Sequence, residues 1–107
     1  MKRKRIYISI PISGHDLEEV KAKARNIREW VLWDEFGLDK GWHRPDVITP
    51  FDVCPEPDKP YSYYMGKDIE ALLECDAIYL CEGWQNSKGC MAEFEVAKIY
   101  NKKIIIE

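Results

Sequence analysis

Glu93 is singled out by where a helical repeat would put it. Residues 88–100 follow helical spacing, and at about 100° per residue Lys88, Glu95 and Lys98 fall in one polar sector. Glu93 points the opposite way, among Val96, Ala97 and Tyr100, while Met91 falls on the polar side. A carboxylate on an apolar stripe, one turn from a helix N-terminus, is costly unless it is hydrogen-bonded or used, because burial disfavours its charged form. The segment 60–74 repeats the arrangement. Met65, Ile69 and Leu72 form its apolar face, Glu70 and Glu74 lie opposite, and Asp68 leans inward at the edge. Two carboxylates approaching one cleft suit glycosyl chemistry, in which one attacks or stabilises an anomeric carbon and a second group manages protons or sugar hydroxyls. The plainer alternatives are a rotated helix that leaves Glu93 in water and an Asp68 at the boundary of the core.

Other polar positions offer less. Ser13-Gly14 could present backbone N–H groups to an anion or form a plain turn and cap, and Asn86-Ser87-Lys88-Gly89 has the same two readings, with Ser87 capping or binding. Trp84 could stack on a planar ring or anchor a loop on the rim of the core. Tyr61, Tyr63 and Tyr64 could wall a cleft or pack a helix, and Trp30 and Trp33 read as core or subunit contact.

These side chains need elements to position them. Ile6-Tyr-Ile-Ser-Ile10 is β-branched and aromatic and stops at Pro11 and Gly14, so a first strand is expected there. Asp16 and Glu19 resemble a capping box, and Leu17, Val20, Ala24, Ile27 and Val31 recur at spacings of three and four, predicting an amphipathic helix that runs to Gly37. Val47-Ile48-Thr49 forms a short strand closed by Pro50, and residues 50–60, with four prolines, form a loop. A helix from Pro60 to about Glu74, a strand over residues 76–81, a helix from about Lys88 to Tyr100 and a strand over residues 103–106 complete the series. Strict alternation of strand and helix implies βαβ crossovers. The expectation is therefore an α/β fold: a three-layer, Rossmann-like α/β/α unit with a mostly parallel sheet of four to five strands, in one domain over 1–107. In such sheets the ligand sits outside the carboxyl ends of the strands, here the loops 11–16, 50–60 and 82–89.

Composition narrows the function classes. With 107 residues, 46% of them hydrophobic, the chain can bury one core, and no run of apolar residues is long enough to span a membrane. The formal charge is −3, but four of the 16 basic residues lie within the first five positions, so residues 6–107 carry −7. That acidic body argues against a nucleic-acid polymer as partner, and the basic tip reads as a solubilising overhang. The four cysteines form no CxxC pair and the two histidines are far apart, so neither a metal site nor a disulfide framework is signalled. Small buried thiols in a cytoplasmic protein are expected.

Three blocks carry a resemblance: residues 7–14 (YISIPISG), residues 68–80 (DIEALLECDAIYL) and residues 83–97 (GWQNSKGCMAEFEVA). Together, in this order, they resemble the nucleoside 2-deoxyribosyltransferase family. They are most similar to its short bacterial and phage branch of unknown function, related to 2′-deoxynucleoside 5′-phosphate N-hydrolases. The resemblance implies a flavodoxin-like fold and cleavage of an N-glycosidic bond in a nucleoside or nucleotide, without cofactor, in a homodimer or higher homo-oligomer. It implies that Glu93 is the nucleophile and forms a glycosyl-enzyme. Asp68 then engages the sugar hydroxyl and nearby protons, Tyr7 orients Glu93, and Ser87 contacts the 5′ end, with Ser13, Gly14, Trp84 and Gly89 around the substrate. Ile10 and Glu95 stand where relatives usually carry glycine, and Ser13 where the nucleotide hydrolases carry arginine. The non-catalytic alternative is a nucleotide-binding or sensor module on the same fold.

Overall fold

The computed structural model describes residues 4–31 and 46–107. Strands β1 (Arg5–Ser9), β2 (Asp46–Ile48), β3 (Ala77–Leu80) and β4 (Lys103–Ile106) form one sheet in the order β2-β1-β3-β4, and every pairing is parallel. The register sets Tyr7 beside Ile48 and Ile78, and Ser9 beside Leu80. Parallel neighbours require crossovers. These are helices α1 (Leu17–Trp30), α3 (Tyr61–Leu73) and α4 (Lys88–Ile99), with a short α2 (Pro50–Val53) between β2 and α3.

Alternation along β1 divides the core in two. Ile6, Ile8 and Ile10 face one side, where Val20, Ala24 and Ile27 of α1, with Val31, cover them together with Val47, Ala77, Tyr79 and Ile105. Tyr7 faces the other side with Leu72 of α3, Ala97 of α4, Ile78 and Leu80. Each large aliphatic side chain withdrawn in this way contributes about 1.5–3 kcal/mol, so the helical stripes hold the layers to the sheet. The fold is the expected three-layer α/β/α arrangement, with four strands, all parallel.

Local signals explain most boundaries. Asp16 caps α1 by accepting from the Glu19 N–H at 3.1 Å, and Leu17, the first residue of the predicted stripe, lies half in water. The predicted extension of this helix to Gly37, and Trp33 with it, lies outside the described residues. Trp30 is 47% exposed and meets Tyr79 edge-on at 6.3 Å. The loop expected over residues 50–60 instead begins with α2. Thr49 and Asp52 form a reciprocal capping box, and Pro50 sits at the first helical position, where its missing N–H costs nothing. Arg5 does not overhang: it opens β1, donates its N–H to Asp76 at 2.9 Å and places its guanidinium 3.6 Å from Glu74. Tyr100, expected on the buried stripe of α4, caps that helix and is 60% exposed.

Candidate active site

The site is assembled on the α3/α4 face of the sheet, against the carboxyl end of β1. In the order β2-β1-β3-β4 the strand order reverses between β1 and β3, the point at which open parallel sheets bind ligands. Tyr7 and Ser9, two residues apart on β1, send their side chains to the same face. Glu93, in the second turn of α4, receives both: the Tyr7 hydroxyl donates to Oε2 at 2.9 Å and the Ser9 hydroxyl to Oε1 at 2.6 Å. All three side chains are buried, Glu93 being only 4% exposed. Asp68, from the middle of α3, is 7% exposed, and its Oδ1 has no hydrogen-bond partner among the described residues. The helix repeat thus directs both acids inward, and Asp68 lies deeper than the edge position its spacing suggests.

Burial governs the electrostatics. It pushes the Glu93 carboxyl up to about 7; the Ser9 and Tyr7 hydroxyls pull it back, and the Asp68 charge adds to the rise. Asp68 is raised by burial to about 6, and the Tyr7 hydroxyl opposes that rise. Tyr7 itself is raised well above its ordinary value, first by burial and then by the two carboxylates. Its single proton is directed at Glu93 while its oxygen lies beside Asp68 as well. Asp68 therefore ionises before Glu93, and Glu93 gains its charge only as the pH approaches about 7.

The remaining expected residues surround this cluster in different ways. Ser87 caps α4, accepting from the Cys90 N–H at 3.2 Å, so it fixes the turn that carries Glu93. Gly89 marks a close approach of α3 to α4: a Cβ there would lie 3.4 Å from the Tyr61 hydroxyl and 3.5 Å from the Met65 sulfur. Trp84 lies in a 3₁₀ turn (Trp84–Asn86), half-buried against Phe94 with ring centroids 4.9 Å apart, and its Nε1 is buried without a partner among the described residues. It packs on the rim of the core. Ser13 and Gly14 are exposed in the turn leading to α1, with Gly14 at φ +83°, and share no hydrogen bond with the carboxylate cluster among the described residues. Tyr64 braces the loop before α3, donating to the Glu56 carbonyl at 2.7 Å and accepting from the Lys59 N–H.

At two positions that depart from the resembling family the side chain is directed away from the carboxylate cluster. Ile10 continues the Ile6, Ile8 row into the α1-side core, on the opposite face from Tyr7. Glu95 is exposed and pairs with Lys98 at 3.4 Å. Sequence reasoning missed Ser9. Its signal was available: a lone hydroxyl in a β-branched strand, two residues from Tyr7 and therefore on the same face. Cys90, also overlooked, is buried one turn before Glu93, and the Ser87 and Ser9 hydroxyls flank its thiol. All four cysteines are buried and unpaired. Among the described residues no group of three or more His, Cys, Asp or Glu side chains could hold a metal ion, and no helix is long and apolar enough to cross a membrane.

The layered α/β fold is similar to that of solved deoxyribosyltransferase and N-glycosidase structures. The 2-desoxiribosyltransferase from Leishmania mexicana superposes with a TM-score of 0.67 at 20% identity, over 96% of this chain and 63% of that one. The CMP N-glycosidase of Clostridium botulinum superposes with a TM-score of 0.57 at 24% identity, over 96% of this chain and 70% of that one. This chain therefore spans under two thirds of the length of the Leishmania protein. Residues 37–106 match the family described as "Domain of unknown function (DUF4406)", and the chain belongs to that family. No curated protein matches it in sequence.

Proposed function

We propose that this chain cleaves the N-glycosidic bond of a nucleoside or nucleotide with Glu93 as nucleophile. The observation that carries the reading is a single carboxylate, Glu93, buried beside the carboxyl end of β1 with each oxygen held by a hydroxyl, near a second buried acid with an unused acceptor. Such an acid raises the energy of the folded chain unless it is used. The fold shared with a deoxyribosyltransferase and an N-glycosidase supports the choice of bond.

In this scheme a Glu93 oxygen forms a bond to the anomeric carbon as the carbon–nitrogen bond breaks. The electron pair leaves on the base nitrogen, which takes up a proton. Water, or a second base, then displaces Glu93 and regenerates the carboxylate. Asp68 Oδ1 accepts a hydroxyl of the bound sugar, and Tyr7 orients Glu93. Ser13, Gly14, Trp84, Ser87 and Gly89 border the substrate, and the working form is a homodimer or higher homo-oligomer.

The test is base release across a panel of nucleosides and 5′-nucleotides, with and without an acceptor base. The wild type is expected to release free base, and Glu93→Ala to lose that activity while remaining folded. Turnover persisting in Glu93→Ala removes Glu93 from the mechanism. Thermal stabilisation by a nucleotide with no base release identifies a binding module instead.

A further inference from the structure

We propose that Ser9 is the positioning residue that keeps Glu93 ionised and fixed in rotation, because its hydroxyl makes the shorter of the two bonds to that carboxylate. The inference rests on the reading of Glu93 as the reactive carboxylate. Its ground is a difference between two donors. The Tyr7 hydroxyl reaches Oε2 at 2.9 Å, the longer of the two contacts. The hydroxyl of Ser9 donates to Oε1 of Glu93 at 2.6 Å, in the range of strong charge-assisted O–H···O bonds.

The surroundings strengthen that bond. Ser9 is fully buried, and its backbone is pinned to the β3 side: its carbonyl accepts from the Cys81 N–H at 3.0 Å, and it pairs with Leu80 in the sheet. A donor held by the sheet and shielded from water cannot be replaced by solvent when it is removed. Of the influences that favour the charged form of Glu93, the Ser9 hydroxyl is the largest, ahead of Tyr7. The titratable groups facing Glu93 are Tyr7 from β1, Asp68 from α3 and Cys90 from its own helix. None of these is a cation, so hydroxyl donors alone support the anion. With Oε1 anchored by Ser9 and Oε2 by Tyr7, the carboxylate plane is fixed.

The experiment follows the side-chain carboxyl carbon of Glu93 by NMR through a pH titration of the ligand-free protein, under reducing conditions. Wild type, Ser9→Ala and Ser9→Cys are compared. A hydrogen bond to a charged group corresponds to about one pH unit or more, so the Ser9→Ala midpoint is expected to rise by that amount. Ser9→Cys, which keeps a weaker donor, is expected to fall between the two. Midpoints unchanged from wild type in the folded variants overturn the proposal, and if Ser9→Ala does not fold, Ser9→Cys against wild type decides it. The titration needs no substrate, so its failure is distinct from a failure to release base. Where base release is observed, the acid limb of kcat/KM in Ser9→Ala should move upward with the midpoint, a displacement that a merely structural role would not produce.

Discussion

The Tyr7 hydroxyl and Oε2 of Glu93 meet at 2.9 Å across 86 positions of sequence, and the contact joins the first strand to the last helix inside the α3/α4-side core. It ties the ionisation of Glu93 to the packing of the whole layer. Burial raises this carboxyl to about 7, and only its anion can attack. The acid limb of kcat/KM for base release is therefore expected near pH 7, well above the ordinary value of 4.5, with activity falling as pH drops through that midpoint. A pH–rate profile on any accepted nucleoside measures it, and an acid limb near 4.5 would contradict the burial of Glu93 in the free enzyme.

Stability should respond to the same shift with a definite sign. Below about pH 4.5 Glu93 is protonated in both folded and unfolded chains. Between 4.5 and about 7 the folded chain keeps a proton that the unfolded chain has lost, so stability falls as pH rises through this window. Above about 7 the full cost remains, on the order of 3 kcal/mol. Glu93→Gln should thus be more stable than wild type at pH 8 by up to that amount, with the advantage vanishing near pH 4.5. Urea unfolding at the two pH values checks it. Asp68→Asn should behave alike over the window from 3.8 to about 6.

Which parts of this site could be read from the chain follows from the range of each signal. Glu93 and Asp68 were legible because a helix repeats every 3.6 residues, so a dozen positions suffice to place an acid on the apolar side. Tyr7 entered through the family resemblance. Ser9 escaped because a five-residue strand shows only parity, and a serine near a strand end is unremarkable until a partner 84 positions away is known. Parity also settles Ile10, whose side chain belongs to the Ile6, Ile8 row and faces α1, so the glycine common in relatives is not missed in the cleft. α2 escaped because Pro50 was taken as the end of a strand, although Thr49-Pro50-Phe51-Asp52 carries its own capping box. The sheet order, by contrast, depends on contacts between elements that no local pattern encodes.

Two glycines near the site should respond differently to alanine. Gly83 precedes the Trp84 turn at φ +88°, where a Cβ has nearby only Pro11 Cγ at 3.7 Å but the backbone itself disfavours a side chain. Gly83→Ala is expected to cost about 1–2 kcal/mol and to disturb the Trp84–Phe94 contact. Gly89 lies within α4, and its added Cβ would meet the ends of Tyr61 and Met65, at 3.4 and 3.5 Å, and Ser87 Oγ at 4.0 Å. Helix propensity offsets that crowding, so Gly89→Ala should fall within about 1 kcal/mol of wild type. Thermal unfolding with tryptophan fluorescence separates the two.

Ser87 carries the last prediction, because its side chain already has a structural task. It accepts from the Cys90 N–H at the start of α4, two turns before the helix has passed Glu93. Loss of such a cap costs about 1 kcal/mol, so Ser87→Ala should be destabilised by that amount, while Ser87→Asp, which caps as well, should recover it. If capping were its whole role, both variants would keep the wild-type KM for every substrate. If Ser87 also touches the 5′ end of the substrate, Ser87→Asp should be stable yet bind 5′-nucleotides worse than nucleosides, because the new carboxylate repels a phosphate. Unfolding curves and KM values for a matched nucleoside and 5′-monophosphate pair, measured on both variants, distinguish a cap from a cap that also reads the ligand.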